Sequence, residues 1–278
     1  MSPAAATIGQ SARVRCRLTR HAARIDCTVR GLSLGLRRTV PQREEYARRP
    51  DLVPSRSARL TAADSIAAVK GHLALTVVRV ASAAIVLAAI AYQLAWLVNE
   101  NRFNPFTFFA YFTIQSNLFG VAVLLAVAAR GTRRRSRTLE VLRGAAALYL
   151  TVTFVVVILF LSGEDVQLDL QWVDFALHKF FPVIVVLDWL IDPPTSKLSG
   201  RHALLWLAYP LVWVTLTLIR GAADSWYPYP FLDPANGGYA SVAVYFVTIL
   251  AFLLVIGVVL IALGNVRGRA PGVQAAAA

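Results

Sequence analysis

The sequence predicts an all-α fold: an integral membrane bundle of six transmembrane helices preceded by a disordered basic extension. Two observations lead there. From about residue 73 onward the chain alternates six apolar runs, each near membrane-spanning length, with short polar loops. Arginine is concentrated in every second loop, while the others are acidic or nearly free of basic residues. A hydrocarbon core of ~30 Å needs ~20 apolar residues in a helix, and arginine-rich loops stay on the cytoplasmic side of a membrane.

Composition agrees. Of 278 residues, 57% are hydrophobic and 15% charged, against about 25% charged in an ordinary soluble domain. The net charge is +13, and Lys70, Lys179 and Lys197 are the only lysines. Excess arginine beside apolar spans is explained by orientation and anionic headgroups, so nucleic acid is not expected as a partner; membrane lipids are. Cys16 and Cys27 lie in the N-terminal region, assigned to the reducing cytoplasm, where a disulfide is not expected. Of the histidines only His178 lies well inside a span. No haem, zinc or other cofactor is expected from that distribution.

Residues 1–70 carry scattered arginines, Pro41, Pro50 and Pro54, and no sustained helical period. They read as a disordered cytoplasmic extension without the apolar core of a signal peptide. Met1 is the only methionine, so translation from an internal Val or Leu codon is an alternative for this segment. The membrane domain covers 73–263, with spans at about 73–98, 106–129, 144–162, 173–191, 202–220 and 239–263. A short tail, 264–278, follows.

The Arg-rich side carries the N-terminal region, Arg130 and Arg133 to Arg135 with Arg137, then Lys197 and Arg201, then Arg267 and Arg269. The other side carries Glu100 with Arg102, then Glu164, Asp165 and Asp169, then Asp224 and Asp233. Both termini are therefore expected in the cytoplasm of a plasma-membrane protein. Backbone polar groups in lipid must be satisfied within each segment, which makes the spans helices. Trp172, Trp226, Tyr227 and Tyr229 form an aromatic belt at the outer interface. Asp188 and Asp192 lie at the cytoplasmic end and are expected to pair with Arg143 or Arg201.

Polar residues inside spans are costly unless partnered, and here most gather toward the outer half. Span 2 runs inward from Phe106, which puts Thr113 roughly 10 Å deep at ~1.5 Å per residue. Span 4 also runs inward, which puts His178 roughly 8 Å deep by the same rise. A hydroxyl and an imidazole thus share a depth. Thr113, Ser116 and Asn117 lie on one helical face, and Asp174 is one turn before His178. In an enzyme, Thr113 would be the nucleophile, His178 its base and Asp174 the group that orients the ring. Asn117 would then donate to a developing oxyanion. In a non-enzymatic protein the same hydroxyl and amide groups bond carbonyls of their own helix or glue neighbouring helices.

The last outer loop reads Trp-Tyr-Pro-Tyr-Pro-Phe at 226–231. Its prolines stiffen it, and with Tyr227 and Tyr229 it can cover a pocket open to the outer leaflet. Arg220 either holds a carboxylate there or caps its helix and bonds lipid phosphate. Ser116, Asn117, Arg220, Tyr227 and Tyr229 are the candidate substrate-binding residues.

Phe-Thr-Ile-Gln-Ser-Asn at 112–117, Arg-Gly-Ala-Ala at 143–146, His178 followed by Pro182 and Asp188-Trp189, and the Tyr-Pro-Tyr-Pro-Phe block at 227–231 together resemble a bacterial family of six-span membrane proteins. The resemblance covers roughly 73–263. That family is distantly similar to the eukaryotic androgen-induced and androgen-dependent membrane proteins, six-span hydrolases of fatty-acid esters of hydroxy fatty acids. Those use a Thr on span 2 and a His on span 4, which fall on Thr113 and His178. The resemblance implies hydrolysis of a lipid ester; roles for Asp174 and Asn117 come from spacing alone. The alternatives are a lipid- or small-molecule-binding membrane protein and a transporter. No inverted repeat favours the transporter, and the Gly-x-Ser-x-Gly pattern of rhomboid proteases is absent. The sequence leaves the oligomeric state open.

With Cys16 and Cys27 removed, single cysteines at Gly163 and Gly237 should react with an impermeant thiol reagent in intact cells. Protection at both, with labelling at Thr132 instead, would invert the topology.

Overall fold

The computed structural model describes residues 15–19, 24–29, 32–33, 56–131, 135–160 and 170–268. The chain divides into two compact units, Met1–Ser65 and Ile66–Ala278. In the first, β1 (Arg15–Thr19), β2 (Arg24–Val29) and β3 (Leu32–Ser33) pair antiparallel in the order β1-β2-β3. Cys16 is opposite Cys27 in that register. Ile25, Thr28 and Val29 supply the β-branched residues that favour strands. The disordered extension expected over 1–70 therefore has strands inside it, and helix α1 already begins at Arg56. Residues 1–14, 20–23, 30–31 and 34–55 of that stretch lie outside the described residues, as do 269–278 of the tail.

The second unit is helical. It comprises most of α1 (Arg56–Asn99), a single turn α2 (Pro105–Phe108), α3 (Phe112–Arg130), α4 (Arg137–Phe160), α5 (Gln171–Asp174), α6 (Phe181–Ile191), α7 (Gly200–Asp224) and α8 (Gly238–Arg267). Among the described residues, five helical stretches are long and apolar enough to cross a membrane: Val69–Asn99, α3, α4, α7 and α8. They make this a multi-pass integral membrane protein. The segment expected as the fourth span is also helical from 171 to 191, but it changes winding on the way. Between α5 and α6, residues Phe175–Phe180 form a π-helical turn.

The turn has a cause in the sequence. Pro182 has no N–H to give the carbonyl of His178, four residues earlier, and its ring would crowd that oxygen. The chain widens just before it, and the Phe181 N–H bonds the Ala176 carbonyl. Pro210, inside α7, raises the same problem for the Trp206 carbonyl. There a neighbouring helix supplies the missing donor: the Tyr149 hydroxyl of α4 bonds Trp206 O at 2.8 Å. The Tyr149 bond keeps the Trp206 oxygen satisfied where no water reaches it.

Helix α4 is the centre of the bundle and packs on α3, α6, α7 and α8. Every residue from Gly144 to Leu150 on it is buried. Small residues allow the approach: a side chain at Gly144 would strike the Trp206 indole, and one at Gly120 of α3 would strike Leu150 and Phe181. From residue 69 onward, helix α1 buries one stripe, Arg79, Ser82, Ala83, Val86, Ala89, Ile90 and Gln93, at helical spacing.

One end of the bundle is tied by buried charges. Arg79 of α1 bonds Asp188 at 2.6 Å and Asp192 at 2.5 Å. Arg143 of α4 bonds Asp188 at 2.8 Å and Glu140 at 3.0 Å. Arg135 bonds Glu140 at 2.7 Å and Asp192 at 2.8 Å. Three cations and three carboxylates balance, and Thr195 adds two donors to Glu140. Asp188 and Asp192 were expected to meet Arg143 or Arg201. Arg143 is a partner, and Arg79, 109 residues away from Asp188, takes the other place.

Removing one member leaves buried charge uncompensated, which costs about 3–5 kcal/mol. Asp188→Asn should therefore lower the thermal melt in detergent far more than Arg201→Gln. Equal melts for the two variants would show that the network is not holding the helices.

Candidate functional site

At the opposite end of the bundle, Thr113, His178 and Asp174 form a continuous hydrogen-bonded line. His178 Nε2 is 3.2 Å from Thr113 Oγ1, and its Nδ1 is 2.7 Å from Asp174 Oδ1. Thr113 and His178 are each only 6% exposed, while Asp174 is partly open. Lys179, half exposed, sits 3.6 Å from the other oxygen of Asp174.

Each of the three is positioned by its own local structure. Thr113 is the second residue of α3, so its backbone N–H has no partner within the helix. His178 lies within the π turn, a rare winding that recurs at functional positions. Asp174 is in the first turn of the same helix, where a carboxylate is favoured by the helix dipole.

The loop between α7 and α8 closes over this end. Tyr229 is buried, and its hydroxyl lies 3.2 Å from Thr113 Oγ1 and accepts from the Thr113 N–H at 3.3 Å. Burial pushes the Tyr229 phenol up to about 12, so it keeps its proton and remains a donor. Pro230 and Pro234 each start a 3-10 turn, and Asp233 caps the second by accepting from the Ala235 N–H. Tyr229 stacks on Phe231 with rings 5.3 Å apart and 3° from parallel. Trp213 of α7 bonds the Ala110 carbonyl at 2.9 Å and ties the loop's neighbourhood to the start of α3.

The other sequence candidates are engaged elsewhere. Both amide hydrogens of Asn117 are donated, to Thr113 O at 2.8 Å and to Leu177 O at 3.2 Å. This sews α3 to the π turn and leaves Asn117 no N–H for an oxyanion. Ser116 bonds Thr113 O and Thr153 Oγ1. Arg220 donates to Asp224 at 2.9 Å and to Phe106 O at 2.6 Å, and it lies over the Trp226 ring. Tyr227 packs on Gly221, where any Cβ would collide with its ring. None of these four lines either of the two cavities that meet at Thr113.

Two cavities meet at Thr113 and Tyr229. One, of about 140 Å³, includes Gln93, Asn104, Thr107, Asp174 and His178 in its wall. The second, of about 90 Å³, is almost wholly apolar, with Val152, Val156, Val214, Ile249 and Leu253 in its wall. Sequence reasoning missed Gln93, although a lone amide in the apolar run Ala-Ile-Ala-Tyr-Gln-Leu was a signal. It missed the apolar wall because those residues look like any core. No family model, curated protein or solved structure matches this chain.

Asn117→Leu should strand the Thr113 and Leu177 carbonyls and cost about 1–3 kcal/mol of stability, read as a lower melt. Any activity it loses should return on cooling below that melt. A loss of several hundredfold in kcat at a temperature where the variant is folded would make Asn117 part of the chemistry.

Proposed function

We propose that this protein is an integral membrane hydrolase of lipid esters, with Thr113 as nucleophile, His178 as base and Asp174 as the group that orients it. The single observation carrying this reading is the Asp174–His178–Thr113 line, opening on a cavity at one end of an apolar bundle. Counted with the helix over 171–191, the chain crosses the membrane six times. Both termini then lie in the cytoplasm, the Arg79–Asp188 network sits at the cytoplasmic end, and the pocket faces the outer leaflet of the plasma membrane. The resemblance of 112–117 and 226–231 to a bacterial six-span family, itself distantly similar to eukaryotic lipid-ester hydrolases, supports the same assignment.

The chemistry follows from the hydrogen bonds. A Nδ1–H on His178, held by Asp174, leaves Nε2 free to accept the Thr113 proton as Oγ1 attacks an ester carbonyl. A threonine hydroxyl is a weak nucleophile at neutral pH and needs such a base. Charge then develops on the carbonyl oxygen beside the start of α3. The helix dipole and the Tyr229 O–H both oppose that charge. His178 returns the proton to the departing alcohol, and water hydrolyses the acyl-threonine by the same groups.

If the three act as a unit, their losses do not add. Thr113→Ala, His178→Ala and the double variant should each lower kcat for a lipid ester by a similar factor, and Asp174→Asn by less. Modest, additive losses that track stability would leave helix glue as the role of these residues, in a lipid-binding protein without this activity.

A further inference from the structure

The two cavities that meet at Thr113 are chemically unlike, and the reaction decides which half of an ester belongs in each. The group that protonates the leaving alcohol must touch it. His178 lines the polar cavity and not the apolar one, so the alcohol occupies the polar cavity. The acyl chain then extends from Thr113 the other way, between Val152 and Val156 of α4, Val214 of α7, and Ile249 and Leu253 of α8. At about 90 Å³, this space is smaller than the ~150 Å³ apolar cavity that accommodates benzene. It seats the first carbons of a chain, and the remainder leaves past Leu211, which is exposed on α7.

The polar cavity carries a further instruction. Gln93 of α1 lines it and is only 2% exposed, and its Oε1 has no hydrogen-bond partner among the described residues. A buried amide oxygen left unpaired costs about 1–3 kcal/mol, so one that accepts a proton from a bound ligand gains most when the ligand arrives. The donor it lacks is an O–H or N–H roughly on a level with Thr113 and Asp174. The alcohol half of a simple alkyl ester, whose one oxygen is esterified, offers none.

Resting on the hydrolase reading, we propose that the substrate is a fatty-acyl ester of a small polyhydroxy alcohol, such as a monoacylglycerol, with a free hydroxyl of the alcohol donating to Gln93 Oε1 and the acyl chain in the apolar cavity. Attack by Thr113 Oγ1 forms the acyl–threonine bond. It breaks the bond to the alcohol oxygen, which takes its proton from His178 and leaves through the polar cavity. The fatty acid leaves, after hydrolysis, from the apolar side. Gln93 is a specificity residue for the alcohol; Val214 and Leu253 set the acyl length.

The test compares kcat/KM of the full-length protein in lipid nanodiscs on glyceryl monooctanoate and on ethyl octanoate. The wild-type protein should prefer the glyceryl ester by about tenfold or more. Gln93→Leu should erase most of that preference, and Gln93→Met, close in volume, should do the same if the leucine variant does not fold. Val214→Trp should move the optimum within a series of ethyl esters toward shorter chains. A preference ratio unchanged in the Gln93 variants, or a chain-length profile unchanged in Val214→Trp, would overturn the inference while leaving the hydrolase intact. Hydrolysis of neither ester by the wild-type protein would overturn the hydrolase reading and this one with it.

Discussion

A peptide group without a hydrogen bond costs several kcal/mol in hydrocarbon, and this chain meets that constraint twice at prolines buried in helices. At Pro210 the answer is borrowed: Tyr149 of α4 reaches across to the Trp206 carbonyl. At Pro182 the change is local: the helix widens just before it into the π turn that contains His178. The first joins the central helix to α7. The second sets the phase of the histidine relative to the two ends of its own helix. Asn117 then fastens the π turn to α3 through the Leu177 carbonyl. The alignment of His178 with Thr113 thus follows from how backbone groups are satisfied around it.

Charge is handled differently at the two ends. Six ionised groups close on one another around Asp188, binding α1, α4 and α6 with their charges balanced. Such a network adds little net stability over apolar packing but is costly to break, which makes it suited to fixing register among helices. His178 is ten residues before Asp188 on the same helical rod, roughly 15 Å at 1.5 Å per residue. The other end has a different economy: Asp174, His178, Thr113 and Tyr229 pass hydrogen bonds along a line beside two cavities. One end holds the helices, and the other has groups free to change partners.

The legible parts of this architecture were those governed by local geometry. Apolar runs gave away the long helices because lipid admits little else. Rise per residue brought Thr113 and His178 to a common depth, and one-turn spacing brought Asp174 to His178. The misses share another cause. Arg79 meets Asp188 and Arg135 meets Asp192 across 109 and 57 residues, and no local pattern carries such a pairing. Asn117 shares a face with Thr113 as expected, yet a face does not say which atoms its amide will choose. Tyr229 was a binding candidate from its place in the aromatic loop, but its position above Thr113 depends on turns at Pro230 and Pro234.

The central claim is that the Thr113 hydroxyl is activated by His178, and the most direct measurement is the site of a covalent adduct. The protein would be treated with a fluorophosphonate probe in nanodiscs, with and without a competing lipid ester, and digested for mass spectrometry. The account predicts one adduct, on Thr113, reduced by the competitor and absent from His178→Ala. An adduct on Ser116 or another hydroxyl, labelling of Thr113 that persists without His178, or no adduct at all would contradict it.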